Sequence, residues 1–568
     1  MNKKFIKTIL CSVLIFLSVN FSYACTNIIV SKGATVDGSV LVSYAADSHA
    51  LFGELYHHPA QIFSTGSFLK IYDWDTGKFM GQIPQIANTY QTVGNMNEHQ
   101  VTITETTYGG RLELMDPDAI MDYGSLIYVT LQRAKTAREA IQIIAELANQ
   151  YGYASEGETF SIADKNEAWI MDLIGKGSKK IDGKNVNKGL VWVAARVPDG
   201  YISAHANMSR IQNFKKNDPD NWLYAPDVIS FAREMGYFKG EDKDFSFCEA
   251  YAPADFIGAR ACGARVWDIF KNLCDGQING QDFTVYNDFA LGHNLKHRLP
   301  LFVKATHKIS VKEVADAMRS HFEGTILDMT QDVGAGGLNC PYRWRPMTFK
   351  VDGKEYVNER ATATQQTGFW IVCQSRSKFP DTIGGILWFG TDDAATSCLT
   401  PVYTSIIDSP ESIRKGNGNL ITYSPTSMFW KTNKVTNFAY LYYSRVQPEI
   451  RAVADSFENA ALKNVAITDA TAIKLYKNGT KHQIKKTRKY LTDFTCNSAQ
   501  SLFDRWSSLE TYLFVKYKDG NIMKQNTDGS FKYNEYNRGT PEFPDQPGYN
   551  QNFYKSIVKD HGKVLEMK

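Results

Sequence analysis

Several things are missing from this chain of 568 residues, and each absence removes a class of function. An excess of one charge is missing: 63 basic residues face 60 acidic ones, and Lys3, Lys4 and Lys7 all stand before residue 25, so the remainder is balanced. A balanced chain carries no electrostatic footprint for nucleic acid. No apolar run after residue 24 reaches the length of a membrane-spanning helix, so no helical span is expected in the mature chain. The 11 histidines are scattered, with His57-His58, His205 and His321 making no HExxH or other ligand spacing, and the cysteines form no CxxC pair. No metal site is expected. Gly334-Ala335-Gly336-Gly337 lacks the Lys-Ser/Thr ending of a phosphate-binding loop, which argues against nucleotide binding. Repeats and low-complexity linkers are also missing. At 43% apolar and 22% charged residues the chain reads as globular, long enough for one large enzyme domain with elaborations.

What is present begins at Ser22-Tyr23-Ala24-Cys25-Thr26-Asn27. A short basic start and the apolar run Ile9–Val19 precede it, and Ser22 and Ala24 are the small residues a signal peptidase reads before its cut. Residues 1–24 are therefore expected to be a removed export signal, leaving the protein periplasmic or secreted. The cut would make Cys25 the first residue, with a thiol and a free α-amine on one Cα. Such an amine titrates near about 7.7 to 8.0 and a thiol near about 8.5, so at neutral pH the amine can take the thiol's proton. That is the chemistry of an N-terminal-nucleophile hydrolase. A lipid-anchored surface binding protein would also start at a cysteine, but such chains usually carry a Leu-like residue where this one has Ser22, and acylation would remove the base.

Cys248, Cys262, Cys274, Cys340, Cys373, Cys398 and Cys496 are odd in number, so at least one is expected free; they read as buried small side chains with one or two disulfides at most. A Cys–His pair built on Cys373 or Cys398 has no local support in the sequence.

Alternation places strands at Asn27–Ser31 and Ser39–Ser43, joined across Val36-Asp37-Gly38. Asp47, just beyond, stands where it could hold the Cys25 amine, although taken alone it reads more often as a loop cap or a solvated residue. A capping box at Thr136–Glu139 splits the amphipathic segment 121–151 into two helices. Hairpins are expected for 159–163 with 168–173 and for 191–197 with 201–205, the latter leading to Asn207, whose amide at a strand end suits an oxyanion. A helix is expected over Ser310–Glu323 and a mainly helical stretch from about 431 to 517, followed by an ordered tail.

Read in order, Cys25-Thr26, Asp37-Gly38-Ser39, Ala46-Asp47-Ser48, Gly94–His99 with Glu105-Thr106-Thr107, Arg196–Tyr201 with Ala204–Asn207, Glu323-Gly324-Thr325, Pro341–Pro346 and Gln365–Phe369 resemble the bacterial dipeptidase family of cysteine N-terminal-nucleophile hydrolases, relatives of penicillin V acylase and bile salt hydrolase. The resemblance covers about residues 25–400. It implies an α+β fold, a four-layer αββα sandwich over residues 25–430, with 431–568 as a mainly helical elaboration ending in a loop-rich tail. It implies a cofactor-free dipeptidase acting on small peptides through an acyl-enzyme on Cys25, or an N-acyl amide hydrolase of bile-salt-hydrolase or penicillin-acylase type. Asp47 matches the acid that holds the amine, Asn207 the oxyanion amide, the Thr107 N–H a second oxyanion donor, and Glu105 a residue of the pocket wall. Where many relatives carry an Arg shortly before the Asp47 position, this chain has Ser43-Tyr44, and a second Arg near Thr367 is not matched. Oligomeric state is left open.

The export reading makes a direct prediction. Intact mass and N-terminal sequencing of the chain recovered from exporting cells should show an unmodified Cys25 at the start; a diacylated Cys25 would remove the base and sink the hydrolase reading.

Overall fold

The computed structural model describes residues 25–567; the expected export signal lies outside them. Thr26–Val30 and Val40–Asp47 are buried along their whole length, so both faces of these strands are covered and their polar side chains must find partners inside the protein. They pair antiparallel, with Asn27 opposite Tyr44, at the centre of a seven-stranded sheet. Its order is Val303–Lys304, Tyr201–His205, Thr26–Val30, Val40–Asp47, Thr367–Ser375, Gly385–Thr391 and Thr400–Tyr403. An eight-stranded antiparallel sheet runs through Trp222–Tyr224, Leu190–Arg196, Ala168–Gly175, Gly157–Ala163 and Thr102–Gly109, and ends in three two-residue strands, Met96–Asn97, Thr92–Val93 and His57–His58.

One expected hairpin does not form. Leu190–Arg196 pairs with Ala168–Gly175 in the eight-stranded sheet, whereas Tyr201–His205 pairs with Thr26–Val30 in the other, His205 opposite Asn27. The turn between them, with Gly200 at φ +82°, passes the chain from sheet to sheet. Alternation specifies which face of a strand is buried but not which strand lies beside it. Here Asp199 accepts the Gly33 N–H and ties the turn to the seven-stranded sheet.

The two sheets meet through buried polar side chains. Asn27 Nδ2 donates to the Glu105 carbonyl at 2.6 Å and the Thr104 hydroxyl donates to Asn27 Oδ1. His205 reaches across with both ring nitrogens, Nδ1 2.8 Å from the Thr106 hydroxyl and Nε2 2.7 Å from that of Ser161.

The helices Tyr123–Leu131 and Ala137–Tyr151 are separate, capped by Asp122 and Thr136. Leu126, Val129, Ile141 and Ile144 pack on Ile103, Phe160, Ile162 and Trp169 of the eight-stranded sheet. Against the seven-stranded sheet lie Ala264–Leu273 and Val311–Ala317. The second of these has the expected capping box of Ser310 and Glu313 but ends well short of Glu323. Beyond it Arg319, Ser320 and His321 are buried, Arg319 turns to Glu458 and the Ala394 carbonyl, and Phe322 takes φ +66°. Buried polar side chains that need partners away from the helix axis end the helix.

Long helices Met428–Tyr476 and Lys481–Lys516 pack together and are pinned to the sheet by buried ion pairs, Glu458 with Arg319 and Asp469 with Arg376. The tail forms isolated bridges and then a helix, Gln551–Leu565, which the sequence pattern did not announce.

His205 makes the joint between the sheets sensitive to acid. Burial, and after it the charge of Arg210, holds its imidazole well below the ordinary range, so the native state keeps it neutral while the unfolded chain protonates near about 6.5. Unfolded chains then bind more protons, and stability should fall as pH drops below about 6.5, by up to about 1.4 kcal/mol per pH unit from this group. Urea unfolding from pH 7.5 to 5 should show that slope in the natural chain and a shallower one in His205→Gln.

Candidate active site

Cys25 stands at the head of the strand Thr26–Val30 with its thiol buried. Neighbouring strands bring the partners to it. Tyr44 projects from Val40–Asp47, its hydroxyl oxygen 3.6 Å from Sγ; Glu105 projects from Thr102–Gly109, with Oε1 3.4 Å from Sγ. The Tyr44 hydroxyl donates to that same Oε1 at 2.6 Å, and the Asp47 backbone N–H meets the thiol. Glu105 thus lies against the sulfur itself, nearer than the pocket-wall position that the sequence suggested.

Asp47 is aimed by a bulge. The register jumps from Ala46 opposite Phe369 to Asp47 opposite Thr367, a device that redirects a side chain next to a site. Its Oδ1 accepts from the Thr367 hydroxyl and Oδ2 from Arg360 Nη2, both at 2.6 Å. Burial pushes its carboxyl up while these two donors pull it back down.

Asn207 follows the strand Tyr201–His205 in the left-handed region, φ +56°, a conformation Asn tolerates better than most residues. Its Nδ2 donates to the Thr107 carbonyl at 2.7 Å, and its Oδ1 accepts from Arg265 Nη2 at 3.0 Å. Thr107 sits where the strand register shifts before Gly109, and its hydroxyl donates to Glu158 at 2.6 Å.

Arg265 joins these parts. It is fully buried and donates from Nη1 to the Cys25 carbonyl at 2.7 Å and the Thr26 hydroxyl at 2.8 Å. Nη2 serves the Ala206 carbonyl as well as Asn207, and Nε the Ala261 carbonyl. The five bonds match the five N–H groups of a guanidinium. Burial, then the charge of Arg360, lowers its pKa to about 10, which still leaves it charged at neutral pH. A π-helical turn, Gly258–Gly263, leads directly into its helix; such turns mark functional sites. Sequence reasoning missed Arg265, and its one signal was an arginine inside the small apolar run Ala261–Trp267. No arginine stands at Ser43-Tyr44; the guanidinium groups that hydrogen-bond Cys25 and Asp47 are those of Arg265 and Arg360, far along the chain.

Glu158 was also missed. It is fully buried, and its carboxyl interacts electrostatically with that of Glu105. Burial raises both carboxyls, and the charge of Glu105 raises Glu158 further, whereas the Tyr44 hydroxyl and Glu158 draw Glu105 back down. The Cys25 thiol is pushed well up by burial first, and then by the charges of Glu105 and Asp47.

Tyr44 also belongs to the wall of a cavity of about 650 Å³, with Ala46, Tyr56, Trp74, Tyr123 and Phe369. The hairpin Phe68–Tyr72 and Phe79–Pro84 supplies Phe68, Leu69 and Tyr72 to the same wall. Eight cysteines of the described residues, Cys25 among them, are all unbonded; the one or two disulfides allowed by the sequence do not form there.

Residues 24–456 match the peptidase family C69. The chain is 23% identical over 418 residues to a probable dipeptidase of Latilactobacillus sakei, covering 69% of this chain and 76% of that protein. It is 24% identical over 424 residues to a probable dipeptidase of Salmonella dublin, covering 71% and 86%. With dipeptidase A of Lactobacillus helveticus it shares 23% identity over 460 residues, covering 77% and 85%. Cys25, Asp47, Glu105, Thr107, Glu158, Asn207, Arg265 and Arg360 all fall inside the matched span.

The electrostatics of the thiol can be tested directly. Replacing Glu105 by Gln removes an anion that raises the Cys25 pKa, so the thiolate fraction at neutral pH should rise. Alkylation of Cys25 by iodoacetamide should become faster at about pH 7 to 8, with the rate–pH curve displaced to lower pH; an unmoved curve would show that Glu105 does not govern the sulfur.

Proposed function

Since the chain belongs to peptidase family C69, a cysteine-peptidase family, we propose that it is an exported dipeptidase that hydrolyses short peptides through an acyl-enzyme on Cys25, with export cleavage supplying the nucleophile's free amine. The observation that carries this reading is the Arg265 bridge, which holds the Cys25 carbonyl and the Asn207 amide in one hydrogen-bonded unit beside the buried thiol. The names of the relatives support peptides as the substrate class. The signal-like residues before Cys25 support a periplasmic or secreted location. We read the two sheets, with helices packed on each, as the αββα sandwich of N-terminal-nucleophile hydrolases, and the pair Met428–Lys516 as an elaboration of it.

In this mechanism the Cys25 amine, oriented by Asp47, accepts the thiol proton as Sγ attacks the scissile carbonyl carbon. The tetrahedral oxyanion takes a hydrogen bond from the Asn207 amide, whose second N–H is not needed by Thr107, and another from the Thr107 backbone N–H. The carbon–nitrogen bond then breaks as the Cys25 ammonium returns its proton to the leaving amine. Water, deprotonated by the same amine, hydrolyses the thioester and restores the thiol. The raised thiol pKa suits this order, because the proton stays on sulfur until the amine and the carbonyl are both in place.

Two variants test the reading. Cys25→Ala should abolish release of amino acids from Ala-Ala-type dipeptides while unfolding normally, and Asn207→Ala should lower kcat by about 10²- to 10³-fold. Full activity in Cys25→Ala, or turnover of N-acyl amides with none of dipeptides, would end it.

A further inference from the structure

Glu105 has chemistry left over after the mechanism above is complete. Its Oε1 is 3.4 Å from the attacking sulfur and is fixed by the Tyr44 hydroxyl, a residue of the cavity wall. The groups acting on it most strongly are Tyr44, Glu158, Cys25 and Asp47, none of them a cation. The oxygens Oε2 of Glu105 and of Glu158 are both buried and meet no hydrogen-bond donor among the described residues. Among the described residues neither carboxyl forms an ion pair with a Lys, Arg or His, and in the mechanism above the Cys25 amine is turned to Asp47, so the charge Glu105 carries lies in a dry place, an arrangement that is costly until a cation arrives.

Covalent geometry says which cation would fit. In a peptide with an unblocked N-terminus, the α-ammonium is two bonds from the first carbonyl carbon, so about 2.5 Å away. When that carbon stands about 3 to 3.5 Å from the sulfur, ready for attack, the ammonium lies a few ångströms from Sγ. When the first residue lies on the Glu105 side of the sulfur, an oxygen 3.4 Å from the sulfur comes within hydrogen-bond reach of it.

We propose that the Glu105 carboxylate receives the free α-ammonium of the substrate's first residue, restricting this site to peptides with an unblocked amine whose first carbonyl is the one attacked. This rests on the dipeptidase reading and adds the group that enforces it. The side chain of that first residue extends into the aromatic-walled cavity beyond Tyr44. An N-acyl substrate would instead bring a carbonyl oxygen against a buried carboxylate, with no charge to compensate it.

The test compares three substrates on the natural chain: Ala-Ala, N-acetyl-Ala-Ala, and propionyl-Ala, which lacks only the amine. The expected kcat/KM for the last two is lower by at least about 100-fold, since a site built around a polar substrate group rejects analogues without it. In Glu105→Gln the ratio of Ala-Ala to propionyl-Ala should collapse by at least about tenfold, mostly through KM for Ala-Ala. Labelling of Cys25 by iodoacetamide checks that the variant site is formed; if it is not, the comparison on the natural chain decides alone. Equal turnover of Ala-Ala and propionyl-Ala, or equal losses on both in Glu105→Gln, would overturn the proposal and leave the dipeptidase reading standing. Cleavage of none of the three would overturn both.

Discussion

The side-chain hydrogen bonds between the two sheets set where everything at the Cys25 site lies. Apolar packing tolerates sliding, because dispersion is not directional, but a buried amide or imidazole has to meet particular atoms or lose the energy of an unsatisfied polar group. Asn27 meets the Glu105 carbonyl and the Thr104 hydroxyl, and His205 meets Thr106 and Ser161. These bonds leave one relative position of the sheets. Cys25 is two residues from Asn27 and Asn207 two residues from His205, so the positions of sulfur, carboxylate and amide follow from that seam.

Two buried guanidinium groups extend the same logic. Arg265 closes the gap between the start of the first strand and the turn after Tyr201–His205. Arg360 and Thr367 close the gap between Asp47 and the segment leading to Thr367–Ser375. Each ties together pieces of chain more than a hundred residues apart. Arg319 and Arg376 likewise tie Glu458 and Asp469 of the long helix Met428–Tyr476 to the body. Arginine suits all four places because its planar fork can satisfy several acceptors at once and stays charged when buried.

The parts of this architecture that could be read from sequence are those with local causes. The first two strands alternate and the first is rich in β-branched residues, the helix starts carry their own caps, and the order of short motifs from Cys25 to Asn207 carried a family resemblance. What escaped depends on contacts that no local pattern records. The turn at Pro198–Gly200 looks like any hairpin turn until Asp199 is seen on Gly33. The helix after Ser310 keeps a helical pattern to Glu323, yet Arg319 leaves it for Glu458, 139 residues on. Glu158 and Arg265 are ordinary residues in sequence and become site residues only because burial places them beside Glu105 and Cys25. The hairpin Phe68–Pro84 has short, partly exposed strands that give little periodic signal, although it shapes the cavity.

The raised pKa of the Cys25 thiol has a consequence for the chain's durability. Peroxides and foreign disulfides react with thiolate and hardly at all with a protonated thiol. Burial holds Cys25 well above its ordinary range, and the other seven described cysteines are raised as well. None of these sulfurs has a disulfide to shelter it. Keeping their protons makes them poor targets for such reagents, and for Cys25 the Glu105 charge beside the sulfur adds to that inertness.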